Sequence, residues 1–197
     1  MATANKNLSE YNKADLIDAK DLRIGLVVSE WNDKITNGLF KGAYDVLIDC
    51  GALPENIVRW DVPGSFELIF GCSKMHRRNE FDAIIAIGCV IQGETKHFDF
   101  VCEGVTQGIK DLNIQYEVPT IFCVLTDNTE QQSIDRSGGI HGNKGTEAAV
   151  AALKMIALNK RLLELEKRIV VRIEDRLTEL EQETFYQVKR KLSSGDQ

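Results

Sequence analysis

Short apolar runs and longer amphipathic segments alternate along most of the chain. Four runs are mostly apolar: 22–30, 56–64, 82–93 and 118–126. Runs of this length are typical of strands, and apolar strands without polar alternation indicate a sheet that is covered on both faces. The pattern therefore predicts four buried strands, which are parallel if helices connect them.

A helix is predicted after each strand. Asn32 and Asp33 are expected to cap the first helix, and Gly51 is expected to end it. The residues on its apolar face are Ile35, Leu39, Ala43, Val46, Leu47 and Cys50. Further helices are predicted over 65–78, 95–112, 129–138 and 143–160. The inward residues of the 95–112 helix are Phe98, Val101, Val105, Ile109 and Leu112.

This order of elements predicts an α/β fold. It is a three-layer sandwich in which a four-stranded parallel sheet has helices on both faces, as in flavodoxin-like proteins. Residues 1–20 are polar and are expected to form a loose arm, and residues 21–161 form the α/β domain. Residues 162–197 continue the last helix as a long amphipathic extension. One apolar face of this continuous helix consists of Leu158, Leu162, Leu165, Ile169, Ile173, Leu177 and Leu180.

Composition excludes several classes of protein. A net charge of -6 argues against broad nucleic-acid binding, which needs a basic face. No apolar run approaches the roughly 20 residues of a membrane helix. The N-terminus has no signal or transit peptide pattern, so a cytoplasmic protein is expected. The five cysteines never form CxxC and there are only three histidines, so we interpret the thiols as reduced and buried rather than as zinc ligands.

Polar segments follow the first three predicted strands: SEWND (29–33), VPGSFE (62–67) and IQGETKH (91–97). In parallel sheets, ligands bind beyond the carboxyl ends of the strands, so these segments are expected to meet at one crevice. Trp31 is either a core plug or a platform that stacks on a planar ligand. Glu67 is interpreted first as a helix cap, because an acid suits the positive end of the helix dipole.

The GETKH segment has the features of an anion site with a proton carrier. Gly93 permits a ligand to approach closely, and N–H groups at the start of a helix attract anions. His97 is placed there to move protons, although a capping or surface histidine fits the same position. Neither GxxxxGKS/T nor GxGxxG occurs, so no nucleotide-binding loop is predicted.

Two cations lie further along the chain, both in RSGGIHGNKG (136–145). Arg136 and Lys144 could bind a phosphate, although a surface position is the simpler interpretation of the arginine. His76 and His141 have no comparable context and are interpreted as surface residues.

The segments VVSEWND, VPGSFEL, GCVIQGETKHFD and RSGGIHGNKG resemble those of the lumazine synthase family in order and spacing. The resemblance covers roughly residues 20–160. It implies a transferase of riboflavin biosynthesis that condenses 5-amino-6-(D-ribitylamino)uracil with 3,4-dihydroxy-2-butanone 4-phosphate. The products are 6,7-dimethyl-8-ribityllumazine, phosphate and water. The resemblance implies neither a metal nor a redox cofactor.

The resemblance also implies roles for the matching residues. His97 would transfer protons, and Trp31 would stack on the pyrimidine. The ring edge and ribityl chain would be held by Ser65, Phe66, Glu67, Cys89, Val90 and Ile91. The phosphate-bearing substrate would meet Glu94 and Thr95. In the neighbouring subunit, Phe122 would pack on the pyrimidine and Arg136 would bind the phosphate, with Lys144 as a helper nearby.

Assembly and alternatives complete the expectations. The resemblance implies a pentamer with one site at each subunit contact, and the short RSGGIHGNKG connection favours icosahedral shells of twelve pentamers. The C-terminal helix is expected to pack on neighbouring subunits or on an outside partner. Two other functions stay open: a shell-forming scaffold of the same fold with weak or no catalysis, and a flavin-binding electron carrier.

Overall fold

The structure, a computed structural model, describes residues 7–193, and side chains through residue 190. The strands are β1 (Ile24–Ser29), β2 (Ile57–Val62), β3 (Ala83–Ile91) and β4 (Thr120–Asp127), followed by a small hairpin of β5 (Ser137–Gly139) and β6 (Gly142–Asn143). The helices are α1 (Asp33–Asp49), α2 (Leu68–His76), α3 (His97–Gln115), α4 (Glu130–Arg136) and α5 (Lys144–Ser193). The hairpin was not predicted, because its strands are too short to show a period.

The four long strands form one parallel sheet in the order β2-β1-β3-β4. Ile24 of β1 lies opposite Ile57 of β2 and Ala83 of β3, and Ile84 of β3 lies opposite Thr120 of β4. Every residue of β1 is buried because the strand has a neighbour on each side, whereas β2 at the edge is half-buried or exposed. The predicted strands and their parallel arrangement are confirmed.

Helices cover both faces of this sheet, as its apolar strands predict. On one face, α1 and the first turns of α5 contribute Leu39 and Leu153 to a large buried cluster. On the other face, α2 and α3 contribute Leu68 and Ile109 to a second cluster. With both faces covered, the carboxyl ends of the strands are the edge of the sheet at which loops meet.

The ends of α1 show one confirmed prediction and one error. Gly51 follows the helix with φ of 99°, a left-handed conformation that favours glycine. Asn32 stands at the N-cap position, but its side chain makes no capping hydrogen bond. Its Nδ2 instead donates to the Cys89 carbonyl at 3.1 Å. Asn32 therefore links the loop after β1 to β3, and the capping role predicted for its side chain is wrong.

Residues 7–20 are attached to the domain, so the expectation of a loose arm is wrong for them. Leu16 packs against the first buried cluster, and Ala19 belongs to it. The Tyr11 hydroxyl donates to Asp49 Oδ2 at 2.9 Å. The first six residues of the predicted arm lie outside the described residues.

His76 is buried, which corrects its predicted surface position. Its ring stacks on Tyr116 with ring centres 4.3 Å apart, and its Nε2 lies 2.6 Å from Thr120 Oγ1. Burial lowers the pKa of His76, because the charged imidazolium would lose its hydration. These contacts join the end of α2 to the start of β4. His141 is exposed, as predicted.

By its internal contacts, the chain divides into two compact units, Met1–Ala157 and Leu158–Gln197. The second unit is helical through Ser193, which confirms the predicted long helix. Every side chain from residue 160 to residue 190 is exposed. Among residues 7–193, no helix is long and apolar enough to cross a membrane.

Candidate active site

A cleft of about 860 Å³ lies at the carboxyl ends of β1 and β3 and the loop after β2. Its volume is within the roughly 300–1,000 Å³ that is usual for small-molecule sites. All three predicted segments contribute to it. The residues that line it are Trp31, Asn32, Pro63, Gly64, Ser65, Phe66, Glu67, Cys89, Val90, Ile91, Gly93, Thr95, His97, Phe98, Phe100 and Val101.

Trp31 is presented to the cleft by the turn between β1 and α1. Its backbone N–H donates to the Pro63 carbonyl at 3.2 Å, which ties this turn to the loop after β2. The side chain is 71% exposed, so a role as a core plug is excluded. A large flat side chain that is held at its backbone and open at its ring is suited to stacking on a planar ligand.

The loop after β2 adds a buried hydroxyl and a second aromatic ring. Ser65 is buried, and its Oγ donates to the Cys89 carbonyl at 3.4 Å. Phe66 is 51% exposed, and its ring lies so close to Gly104 of α3 that a β-carbon there would be 2.6 Å from it. Glu67 immediately precedes α2, but its side chain makes no capping hydrogen bond. The capping role predicted for Glu67 is therefore wrong, and its side chain lines the cleft.

The GETKH segment forms another part of the cleft wall through Gly93, Thr95 and His97. His97 is the first residue of α3, and its side chain is exposed at the cleft. Its backbone N–H donates to Thr95 Oγ1 at 3.3 Å, which ties the start of the helix to the turn before it. A β-carbon on Gly93 would meet no atom within 4 Å, so this wall leaves room beside the backbone. Glu94 is exposed between these residues and does not line the cleft.

Two residues of α3 that were predicted to face the core lie in the cleft instead. Phe98 and Val101 are half-buried and line it, whereas Val105, Ile109 and Leu112 are buried as predicted. The apolar face of the helix is thus continuous, but its N-terminal residues line the cleft and the later ones pack in the core.

Cys89 connects the floor of the cleft to a buried hydrogen-bond chain. Its Sγ donates to Ser133 Oγ at 3.3 Å, and Ser133 Oγ donates to Asp127 Oδ2 at 2.8 Å. Burial raises the pKa of the Cys89 thiol to about 11. The thiol is therefore protonated at neutral pH and is not suited to act as a nucleophile, which must be a thiolate.

Besides Glu94, three of the predicted site residues lie outside this cleft: Phe122, Arg136 and Lys144. Phe122 is 38% exposed on β4. Arg136, at the end of α4, donates from Nη1 to the Gln132 carbonyl at 2.8 Å, and its Nε is 4.0 Å from Asp127 Oδ1. Lys144 Nζ is 2.7 Å from Glu147 Oε1.

Sequence reasoning missed several residues of the cleft, including Asn32, Phe98 and Phe100. Asn32 and Phe98 stand within segments that were singled out, so their position was a usable signal. The Ser133–Asp127 link to Cys89 had no signal, because Cys89 is about 40 residues away in sequence from the other two.

Comparisons with known proteins agree on one family. Residues 21–160 match the family described as 6,7-dimethyl-8-ribityllumazine synthase. A protein of that name from Flavobacterium johnsoniae is 68% identical over 161 residues, which are 82% of this chain and 85% of the relative. Another from Christiangramia forsetii is 66% identical over 161 residues, which are 81% of this chain and 96% of the relative. Because almost all of the second relative is covered, much of the C-terminal extension has no counterpart in it.

Proposed function

The chain belongs to the 6,7-dimethyl-8-ribityllumazine synthase family, and we propose that the cleft described above is where it carries out that family's reaction. The protein is an enzyme of riboflavin biosynthesis. It condenses 5-amino-6-(D-ribitylamino)uracil with 3,4-dihydroxy-2-butanone 4-phosphate to 6,7-dimethyl-8-ribityllumazine. The observation that supports the cleft most directly is that an exposed tryptophan and an exposed histidine line the same cavity.

The aromatic side of the cleft suits the pyrimidine substrate. Trp31 would stack on the ring, and Phe66 would cover the apolar wall beside it. The ring edge and ribityl chain carry many hydrogen-bonding groups, which backbone N–H and C=O groups can satisfy. In this proposal the residues that hold them are Ser65, Phe66, Glu67, Cys89, Val90 and Ile91.

The histidine side of the cleft suits the proton transfers. The amine of the pyrimidine attacks the ketone of the second substrate, and water leaves to give an imine. Phosphate is then eliminated, and a second condensation closes the ring with loss of water. Each step moves a proton, and in this proposal His97 accepts and returns it. Holding the two substrates next to each other supplies much of the remaining acceleration.

The phosphate would be bound between two subunits. Glu94 and Thr95 lie beside the start of α3, where backbone N–H groups favour an anion. Phe122 and Arg136 lie outside the cleft of their own chain. This supports the proposal that they contact the substrates in the cleft of a neighbouring subunit. We therefore propose a pentamer with a site at each contact, with Lys144 near the phosphate, and icosahedral shells as its larger assembly.

The location of the enzyme is part of the proposal. All five cysteines are unpaired. Free thiols are typical of a reducing compartment, which supports the cytoplasm as the place where this enzyme works. The α/β domain of residues 21–161 would carry the chemistry, with residues 162–197 as an extension of it.

The direct test is to mix the protein with both substrates and follow lumazine fluorescence. We expect product formation far above the rate of the substrates alone, with a heat-denatured sample as the control. A rate equal to that background would favour the scaffold function. Yellow colour and visible absorbance of the protein as purified, together with no lumazine formation, would favour the electron carrier.

A further inference from the structure

The helical segment from residue 158 to residue 190 exposes an apolar stripe that the α/β domain and its reaction do not use. Leu162, Ile169, Ile173 and Leu177 are each between 46% and 55% exposed. The match to the family ends at residue 160, so the stripe is not part of the family domain. An exposed stripe this long on a helix is typical of a surface that binds another helix.

The spacing of the stripe indicates how it can be covered. From Leu158 to Leu180 the apolar positions advance 22 residues in six steps, about 3.7 residues per step. This is longer than the 3.5 residues of a left-handed coiled coil and close to the 3.6 residues of a straight helix. The stripe therefore stays on one side of the helix over six turns and can contact a single partner helix along that length.

Four charged residues beside the stripe are spaced symmetrically about a midpoint. Those before the midpoint are positive and those after it are negative. Arg168 and Arg172 are followed by Glu179 and Glu183, with spacings of four, seven and four residues. At 3.6 residues per turn, all four lie within about 60° of one another around the helix. Their spacing is symmetric about the midpoint between residues 175 and 176, with arginines before it and glutamates after it. All four are exposed.

We propose that this segment pairs in an antiparallel manner with the same segment of a second copy of the chain, centred near residue 175. The pairing brings Arg168 and Arg172 of one copy to Glu183 and Glu179 of the other. The pairs Ile173–Leu177 and Ile169–Leu180 are centred within about one residue of the same point, so the apolar and charged positions are compatible with one alignment. The apolar contacts supply the attraction, because exposed ion pairs contribute little.

The charges decide the orientation. A parallel pair would align the same apolar residues, but its two-fold axis runs along the helices, so this charged edge of one helix would face the opposite edge of the other and the arginines would not meet the glutamates. Glu179 already pairs with Arg176 of its own helix at 2.8 Å, and its second oxygen can accept from Arg172 of the other copy. One like-charged contact remains, between Arg161 and Arg190, at the ends of the pair where solvent screens it most.

Cysteine cross-linking of the full-length protein tests this orientation. With a short bismaleimide, Leu177→Cys should give a covalent dimer, because the two copies of residue 177 are about three residues, or about 4.5 Å, apart along the axis. Leu162→Cys and Val188→Cys alone should give none, because each is about 40 Å from its own copy. The double variant Leu162→Cys/Val188→Cys should give the dimer. Wild-type protein treated in the same way measures the background from the native cysteines.

Other patterns of cross-linking would overturn the proposal. Dimer from all three single variants indicates a parallel pair. Dimer from none of the four variants, in protein that still forms lumazine, indicates that a different molecule covers the stripe or that it remains free in solution.

A second test exchanges the charges at positions 172 and 179. It changes no apolar residue other than the Leu177→Cys already present. In the Leu177→Cys background, Arg172→Glu or Glu179→Arg alone should reduce the dimer yield several-fold, and the two together should restore it. Lys167→Glu, on the face of the helix opposite the stripe, is the matched control and should leave the yield unchanged. A double variant that yields less dimer than either single variant would refute the antiparallel alignment.

Discussion

His97 and Trp31 owe their place in the cleft to their positions in the chain. Both follow a strand directly or after a short turn, and both side chains are exposed in the cleft. Neither has a structural task that would require its ring, since the contacts that fix their positions are made by backbone N–H groups. Their side chains are therefore free to act on a ligand.

We expect His97→Ala to lower turnover by about 10²-fold, the lower end of the usual contribution of a general acid or base. Substantial activity should remain because the alanine variant still holds both substrates in position. Steady-state kinetics with both substrates measure this. His141→Ala, an exposed histidine outside the cleft, is the control. Unchanged turnover in the His97 variant would remove its catalytic role.

Arg136→Ala should act on binding rather than on turnover. The loss of a charged hydrogen bond to phosphate, worth about 1.5–3 kcal/mol, predicts a rise of about 10–100-fold in KM for the phosphorylated substrate. The KM for the pyrimidine should stay within about twofold of its normal value. Arg136→Lys should restore part of the loss, because lysine keeps the charge but not the planar fork. A large fall in turnover with an unchanged KM would contradict the proposed phosphate contact.

Among the elements, the strands and helices of the sandwich could be predicted because each carries its own period. The errors have a common physical origin in contacts between elements. The apolar face of α3 was identified correctly, but periodicity does not say that a cleft rather than the core covers Phe98. Asn32 matches the chemistry of a helix cap, yet the Cys89 carbonyl on β3 takes its amide. His76 is polar on its own, and only its Tyr116 and Thr120 partners make its burial acceptable.

His76 predicts a pH dependence of stability at the element scale. Its pKa is lowered in the folded state, so the unfolded chain takes up a proton first as the pH falls below about 6.5. Stability from this residue is therefore complete above that pH and decreases below it, by at most about 1.4 kcal/mol per pH unit, until the lowered folded pKa is reached.

Thermal unfolding between pH 7.5 and pH 5 measures this effect. The unfolding temperature should fall less steeply with decreasing pH in His76→Gln than in the wild-type protein. His141→Gln, which changes an exposed histidine, should have the wild-type slope. Equal slopes in the wild-type protein and the His76 variant would show that His76 is not responsible.

At the scale of the whole molecule, one chain presents an incomplete site by our proposal. The pyrimidine platform and the histidine lie in its cleft, while the proposed phosphate cation, Arg136, lies outside it. The sequence suggested this division only through the family resemblance. No pattern within one chain specifies which surface of a second copy it meets.

Mixing two defective variants tests the division. His97→Ala and Arg136→Ala proteins are dissociated, combined in equal amounts and reassembled, with each variant alone as the control. Random mixing around a pentamer should leave about a quarter of the contacts with both intact residues, and activity should recover accordingly. If both residues served the cleft of their own chain, no combination would restore an intact site, and the mixture would match the average of the two controls.

The buried chain from Cys89 through Ser133 to Asp127 then has a consequence beyond packing. It starts in the floor of one cleft and ends 4.0 Å from the guanidinium that, by our proposal, serves the next cleft. Each subunit would thus hold parts of two sites on a single set of hydrogen bonds. Occupancy of one site could be transmitted to the next around the ring, so the quantity to examine in this enzyme is the cooperativity of substrate binding as well as its rate.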